Sequence, residues 1–304
     1  MQKSSAGWSS GLIGVVIFSG TLPSTRLAIA DLSPWFLVGG RAVVAALIGA
    51  PLLVLLRASR PARADLGPLA IVSLGVVVGF PLLSSLALRF IPASHAIVFV
   101  GLLPICTAIF GVVRGGERPQ PTFWVFSLIG AAVVGGFAFQ PGQVGSGLGN
   151  LSMVGAIVLC GLGYAEGAAL SRRIGGWQVI SWALLLCLPV MAVLAATTAP
   201  ADWTYVRLSS WLALGYLGVF SMMLGFVFWY RGLALGGATG VGQLQLLQPF
   251  MGLGLSALVL GEHVTLYMLV ATGLVIACVA GARRYAGAPP AQAVAPSGPE
   301  STAR

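Results

Sequence analysis

Pro104 and the pair Gly116-Glu117 recur as Pro249 and Gly261-Glu262, displaced by 145 residues with the same spacing of thirteen between proline and glutamate. Only four glutamates occur in the chain, so two in one context point to duplication. Ala93-Ser94 returns as Ala238-Thr239 at the same offset, without a gap. The chain therefore reads as two copies of one unit of about 145 residues. Any fold must accommodate the same unit twice.

The solvent of that fold follows from composition. Hydrophobic residues make up 58% of the chain and charged residues 8%, and the mean hydropathy is +0.97. A water-soluble chain of this length cannot hide so much apolar surface, so lipid must cover it. Apolar runs between charged or Pro/Gly-rich breaks predict ten spans: 9–29, 34–56, 66–88, 92–113, 121–139, 150–172, 177–198, 208–234, 238–260 and 264–282. Ten spans divide into units of five (9–139 and 150–285), and an odd unit inserts its second copy upside down. The expected fold is thus all-α and integral to the membrane, with ten transmembrane helices in two inverted five-helix repeats. Residues 1–8 are expected as a cytoplasmic N-terminus and 286–304, rich in Ala, Pro and Ser, as a disordered cytoplasmic tail.

A formal charge of +9 invites a nucleic-acid reading, but the basic residues are spread among the loops. With the N-terminus inside, twelve (from Lys3 to Arg304) fall on the cytoplasmic side, against Arg26, Arg89 and Arg207 outside. Both termini are expected in the cytoplasm and the protein in the cytoplasmic (inner) membrane, with no nucleic-acid partner. Ala28-Ile29-Ala30 resembles a signal-cleavage tripeptide. Pro23 and Arg26 interrupt the apolar region before it, and cleavage would delete one helix of a matched set, so the first span is expected to be retained. Cys106, Cys160, Cys187 and Cys278 lie in spans without metal-ligand or disulfide spacing and read as packing residues. No cofactor or metal is expected.

Several segments resemble the drug/metabolite transporter superfamily, of the EamA type. Ser19-Gly20 followed by Arg26-Leu27-Ala28 is similar to the family's small-residue stretch ending in a basic position. Arg41-Ala42 after Pro34-Trp35-Phe36 is similar to its second-helix arginine, and the Gly-Glu pairs match those closing each family repeat. The resemblance covers nearly all of residues 9–285. It implies a ten-helix exporter or exchanger of small metabolites working by alternating access. It also implies a cavity lined mainly by helices 1, 3, 4, 6, 8 and 9, with helices 5 and 10 peripheral. The chain departs from the pattern in helix 4, which is poorer in polar groups than helix 9.

The residues expected to serve transport are the polar groups and helix breaks inside spans. Pro104 and Pro249 each remove a helix hydrogen bond at mid-membrane, which points to a cavity; kinks that only shape packing are the alternative. Gln243, Gln245 and Gln248 stand where the first copy has Val98, Val100 and Leu103, and uncharged amides suit a polar substrate as well as helix–helix contact. Glu166 is the lone carboxylate deep in a span, open to proton coupling or to pairing with Arg231 or Arg172. Arg41 lies about 13 Å from it along the membrane normal, from the rise per residue, and is expected to anchor the outer half through backbone carbonyls. Were Arg41, Arg26 and His95 all to face inward, the outer vestibule would attract anions, although His95 reads first as an interfacial histidine. Phe226, Phe228, Trp229 and Tyr230 cluster on helix 8 and fit an interfacial belt or a cavity wall. Glu117 and Glu262 precede helices 5 and 10 and are expected to cap them.

No P-loop, zinc-binding helix or Ser/His/Asp arrangement occurs, so an enzyme is not expected. The predicted activity is secondary transport, with export favoured, of small polar or amphipathic metabolites or drugs. A membrane-embedded enzyme or a purely structural membrane protein is the alternative. The expected partners are the small-molecule substrate and the lipid bilayer, with self-association into a homo-oligomer left open.

Overall fold

A computed structural model describes residues 2–115, 120–138, 147–236 and 242–285. Among the described residues, seven helices are long and apolar enough to cross a membrane. They are α1 (Ala6–Ala28), α2 (Pro34–Leu55), α3 (Arg63–Ala87), α4 (Ala93–Gly111), α6 (Gly147–Ile174), α7 (Gly176–Thr197) and α8 (Leu208–Leu235). Three shorter apolar helices complete the set: α5 (Pro121–Val134), α9 (Leu244–Leu260) and α10 (Leu266–Cys278). The chain is an all-α, multi-pass membrane protein. Gly116-Glu117, Ala238-Thr239, the Gln243 side chain and residues 286–304 lie outside the described set.

Helix boundaries follow local chemistry. Ser33 accepts the Phe36 N–H at 3.1 Å and Pro34 occupies the first turn, which starts α2. Asp65, in the first turn of α3, reaches back to the Ala62 N–H at 3.2 Å. Gly261 ends α9 at φ 65°, a left-handed conformation that glycine adopts without strain.

The principal contacts join helices of the first half to helices of the second: α1 with α8 and α9, α2 with α7, α3 and α4 with α6, and α5 with α10. Exchanging each helix for the one five positions along the order turns this set into itself, since α1–α8 becomes α6–α3. Lipid supplies no hydrophobic drive between helices, so such contacts depend on close backbone approach. A Cβ on Gly232 would meet the Gly11 backbone at 2.8 Å, and one on Gly75 would meet the Leu159 carbonyl oxygen at 2.5 Å and the Gly163 Cα at 2.8 Å.

Four features depart from sequence expectation. The span expected at 92–113 is two α-helical pieces, Ala93–Val100 and Leu103–Gly115, separated at Gly101-Leu102. The span expected from 238 is described from residue 242 and begins as a 3-10 turn, Gly242–Leu247, before becoming α-helical at Gln248. Both breaks fall just ahead of a proline, which is favoured in the first turn of the renewed helix. Helices α3 and α8 contain π-helical segments, Ser73–Gly79 and Tyr216–Leu224, in nearly the same repeat register. Finally, Glu262 does not cap α10. Its carboxylate accepts the Ala93 and Ser94 N–H groups at the start of α4, in the other half of the chain.

Candidate functional site

The central cavity opens between the broken and π-helical stretches. About 420 Å³ of space, part of it open to the outside, lies between its lining atoms. Phe18, Thr21 and Leu22 of α1, Arg41 of α2 and Val76 and Phe80 of α3 form one part of the wall. Leu103 of α4, Cys160 and Tyr164 of α6, Ser221 and Phe226 of α8 and Gln248 of α9 form the rest. At the 145-residue offset, Val76 corresponds to Ser221 and Leu103 to Gln248. The site is therefore bounded by equivalent positions of the two copies, and in both pairs the second copy supplies the polar member. Helix regularity explains part of this: π turns rotate a helix face, and they place Val76 and Ser221 on the cavity.

Arg41 is 2% exposed. Its Nη2 donates to Ser221 Oγ at 3.2 Å, and Ser221 Oγ lies 2.9 Å from Thr21 Oγ1. Thr21 is held in turn through its carbonyl, which accepts from Thr25 Oγ1 at 2.7 Å. Nε and Nη1 of Arg41 are buried without an acceptor. The backbone-carbonyl anchoring expected of Arg41 belongs instead to Arg26, whose Nη1 donates to the Leu88 carbonyl at the end of α3. Among the lining residues Arg41 is the one charged group.

Part of the lining is aromatic. Phe18 and Phe226 meet edge to face at 5.0 Å between ring centroids, and Tyr164 meets Phe226 at 5.8 Å. Trp229 stands behind them, 6.4 Å from Phe18 and 6.0 Å from Tyr164. Gln248 also lines the cavity: its Nε2 reaches the Phe18 carbonyl at 3.5 Å, long for a hydrogen bond, and its Oε1 is buried without a donor. A smaller space of about 180 Å³ continues beside it, between Ser19, Ile97, Val100, Pro249 and Gly252.

The EamA-like transporter family profile matches this chain twice, over residues 5–138 and 147–283. The chain belongs to the EamA-like transporter family. It is 54% identical over 286 residues to the "Uncharacterized transporter YdeK" of Bacillus subtilis (strain 168), covering 94% of this chain and all of that protein. A solved crystal structure, 19% identical, superposes with a TM-score of 0.67 over 92% of this chain and 98% of its own, a likeness of fold alone. Membership makes the protein a membrane transporter of small molecules rather than an enzyme. Among the described residues no group of His, Cys, Asp and Glu could hold a metal ion.

Within this EamA-like transporter the singled-out residues separate. Arg41 and Gln248 meet at the cavity, and Pro249 borders its smaller neighbour. Pro104 is buried beside Leu103 without lining either space, and Gln245 is buried with its Nε2 unbonded, also off the cavity. His95 is buried away from the site, its Nε2 3.0 Å from Asn150 Oδ1 at the start of α6, and its ring packs on Phe99. Arg26 and His95 therefore do not join Arg41 in one charged vestibule. Trp229 and Tyr230 are fully buried, not interfacial, with the Tyr230 hydroxyl 3.4 Å from the Gly163 carbonyl. Glu166 is buried on α6, but on a different face from Cys160 and Tyr164, which are one helical turn apart. Arg173, next to the anticipated partner Arg172, pairs with Asp65 at 2.8 Å.

Sequence reading missed Phe18, Thr21, Cys160, Tyr164 and Ser221. For Ser221 a signal existed: it stands at the repeat offset from Val76, the same apolar-to-polar exchange already visible at Leu103 and Gln248. Phe18 and Tyr164 carried none, since aromatic residues inside apolar spans are common, whereas Phe226 belongs to the aromatic cluster already read as a possible cavity wall.

Proposed function

We propose that this protein is a secondary transporter that exports small polar or amphipathic metabolites across the cytoplasmic membrane by alternating access. Its working unit is ten membrane helices in two inverted five-helix repeats, residues 9–139 and 150–285, with both termini cytoplasmic. The observation that carries the reading is the cavity itself: a mid-bundle space bounded by repeat-related residues, beside helices broken just ahead of Pro104 and Pro249. Irregular backbone at membrane depth is tolerated where protein or a cavity surrounds it, and repeat-built transporters bind substrate at such places. Two halves that touch mainly through each other can exchange access by rocking about the site.

Proton coupling through Glu166 is one way to drive that motion. Because Glu166 lies off the cavity face of α6, its protonation would act through helix packing and not by touching the cargo. Reconstitution into liposomes, with fluxes of weak acids, amino acids and cationic amines measured with and without a pH gradient, tests the proposal. Flux that rises with the gradient in the wild type and loses that dependence in Glu166→Gln is the expected result. Correctly folded protein that moves none of these classes sinks the transport reading, and a Glu166→Gln variant that still pumps uphill removes Glu166 from coupling.

A further inference from the structure

We propose that the cavity takes an organic anion. The anion's carboxylate would lie on Arg41, its apolar body against Phe18, Tyr164 and Phe226, and a hydroxyl or amide N–H would donate to Gln248. The inference rests on the transport reading and names the cargo class. Its basis is three features converging on one space. Arg41, 2% exposed, lines that space, and its Nε and Nη1 are buried without an acceptor. A buried guanidinium is costly unless paired, and every other lining group is uncharged. A carboxylate supplies both the missing acceptors and the missing charge, through hydrogen bonds stronger than neutral ones.

The second feature is the aromatic part of the lining. Ring centroids 5.0 and 5.8 Å apart make a continuous aromatic wall suited to a flat or branched apolar group. The third is the Gln248 carbonyl oxygen, a buried acceptor with no donor, which selects a ligand bearing an N–H or O–H. Cationic amines fit poorly, because the lining offers no carboxylate to receive them.

Purified full-length protein in lipid nanodiscs, titrated by calorimetry, tests this with ligands that share one phenyl body. 3-Phenyllactate is expected to bind most tightly, 3-phenylpropionate several-fold more weakly, and the neutral 3-phenylpropanol and cationic 3-phenylpropylamine at least tenfold more weakly than 3-phenyllactate. Arg41→Gln should abolish the preference for the anion, and Arg41→Lys should keep it with reduced affinity. Should Arg41→Gln fail to fold, the wild-type ligand series still decides. Equal or tighter binding of the amine or the alcohol overturns the proposal, as does chloride competing as well as 3-phenyllactate. Counterflow in liposomes separates the two readings. Anion binding without flux removes transport and keeps the site, whereas flux of amines alone keeps transport and removes the anion.

Discussion

Glu262 holds the first turn of α4 from the opposite half of the chain, its Oε2 accepting the Ser94 N–H at 2.7 Å while its Oε1 accepts the Ala93 N–H at 2.9 Å. A carboxylate at a helix N-terminus satisfies donors that have no partner within the helix and complements the helix dipole. Here it also ties the loop before α10 to the helix that breaks at the cavity. Glu262→Ala is expected to lower stability by about 1–2 kcal/mol, the range for losing an N-cap. Glu262→Gln, which keeps an acceptor, should lose less. Thermal unfolding in detergent checks the order, and equal stability of all three proteins would show that the contact is idle.

Asp31, in the turn between α1 and α2, binds Arg207 at the start of α8. Arg207 Nε donates to it at 2.9 Å and Ser210 Oγ at 2.7 Å. The Arg207 hydrogen bond, then that from Ser210, lowers the Asp31 pKa from 3.8 to about 2. A folded pKa below the unfolded value stabilises the folded state fully above the unfolded pKa, and that contribution disappears as pH falls through the folded one. Wild type should therefore melt above Asp31→Asn by a constant margin from neutral pH down to about 5, which narrows below about 4 and closes near 2. The site is exposed, so the margin should be small and shrink with added salt. Melting curves of both proteins across that range are the measurement. A gap that widens on acidification would contradict the assignment.

The backbone contact between α3 and α6 leaves no room at Gly75, where a Cβ would sit 2.5 Å from the Leu159 carbonyl oxygen. Gly254, on α9, has nothing within 4 Å of the corresponding position. Gly75→Leu is expected to cost about 1–3 kcal/mol or more through overpacking, or to prevent folding. Gly254→Ala should be neutral or slightly stabilising. Yields of monodisperse protein and melting temperatures compare the two, and a tolerated Gly75→Leu would mean that the helices can separate at no cost.

Local chemistry made the membrane class and the duplication legible in the sequence, and most of the long apolar helices with them. Apolar runs must be about as long as the membrane is thick, and a repeated Pro…Gly-Glu is visible in one dimension. Arg41 and Gln248 stood out because polar groups inside spans are expensive. Their roles were not legible, because a role depends on the partner. Arg41 looked like an anchor until Ser221, 180 residues away, proved to be what it binds. Arg26, read as a cavity charge, is the residue that takes a backbone carbonyl. The Glu262 cap was assigned to the nearest helix in sequence, whereas its donors lie 168 and 169 residues away. The π turns in α3 and α8 left no trace in hydropathy, since an extra residue in a turn changes a helix's facing and not its composition.

Leu103 and Gln248 occupy equivalent positions of the two copies and both face the cavity, so exchanging them tests whether the copies are interchangeable there. Gln248→Leu should fold, since it removes an unsatisfied buried oxygen, and should erase the preference for 3-phenyllactate over 3-phenylpropionate. Leu103→Gln buries an amide in a mostly apolar stretch of wall, at a cost of about 1–3 kcal/mol unless it finds a partner. The double exchange should not restore the preference. Arg41 has no counterpart in the second copy: the residue at the repeat offset is Leu186, 46% exposed. The amide must therefore sit where Gln248 does relative to Arg41. Titration of the four proteins with both acids gives the answer, and a double exchange that binds 3-phenyllactate like the wild type would show that the two halves recognise cargo symmetrically.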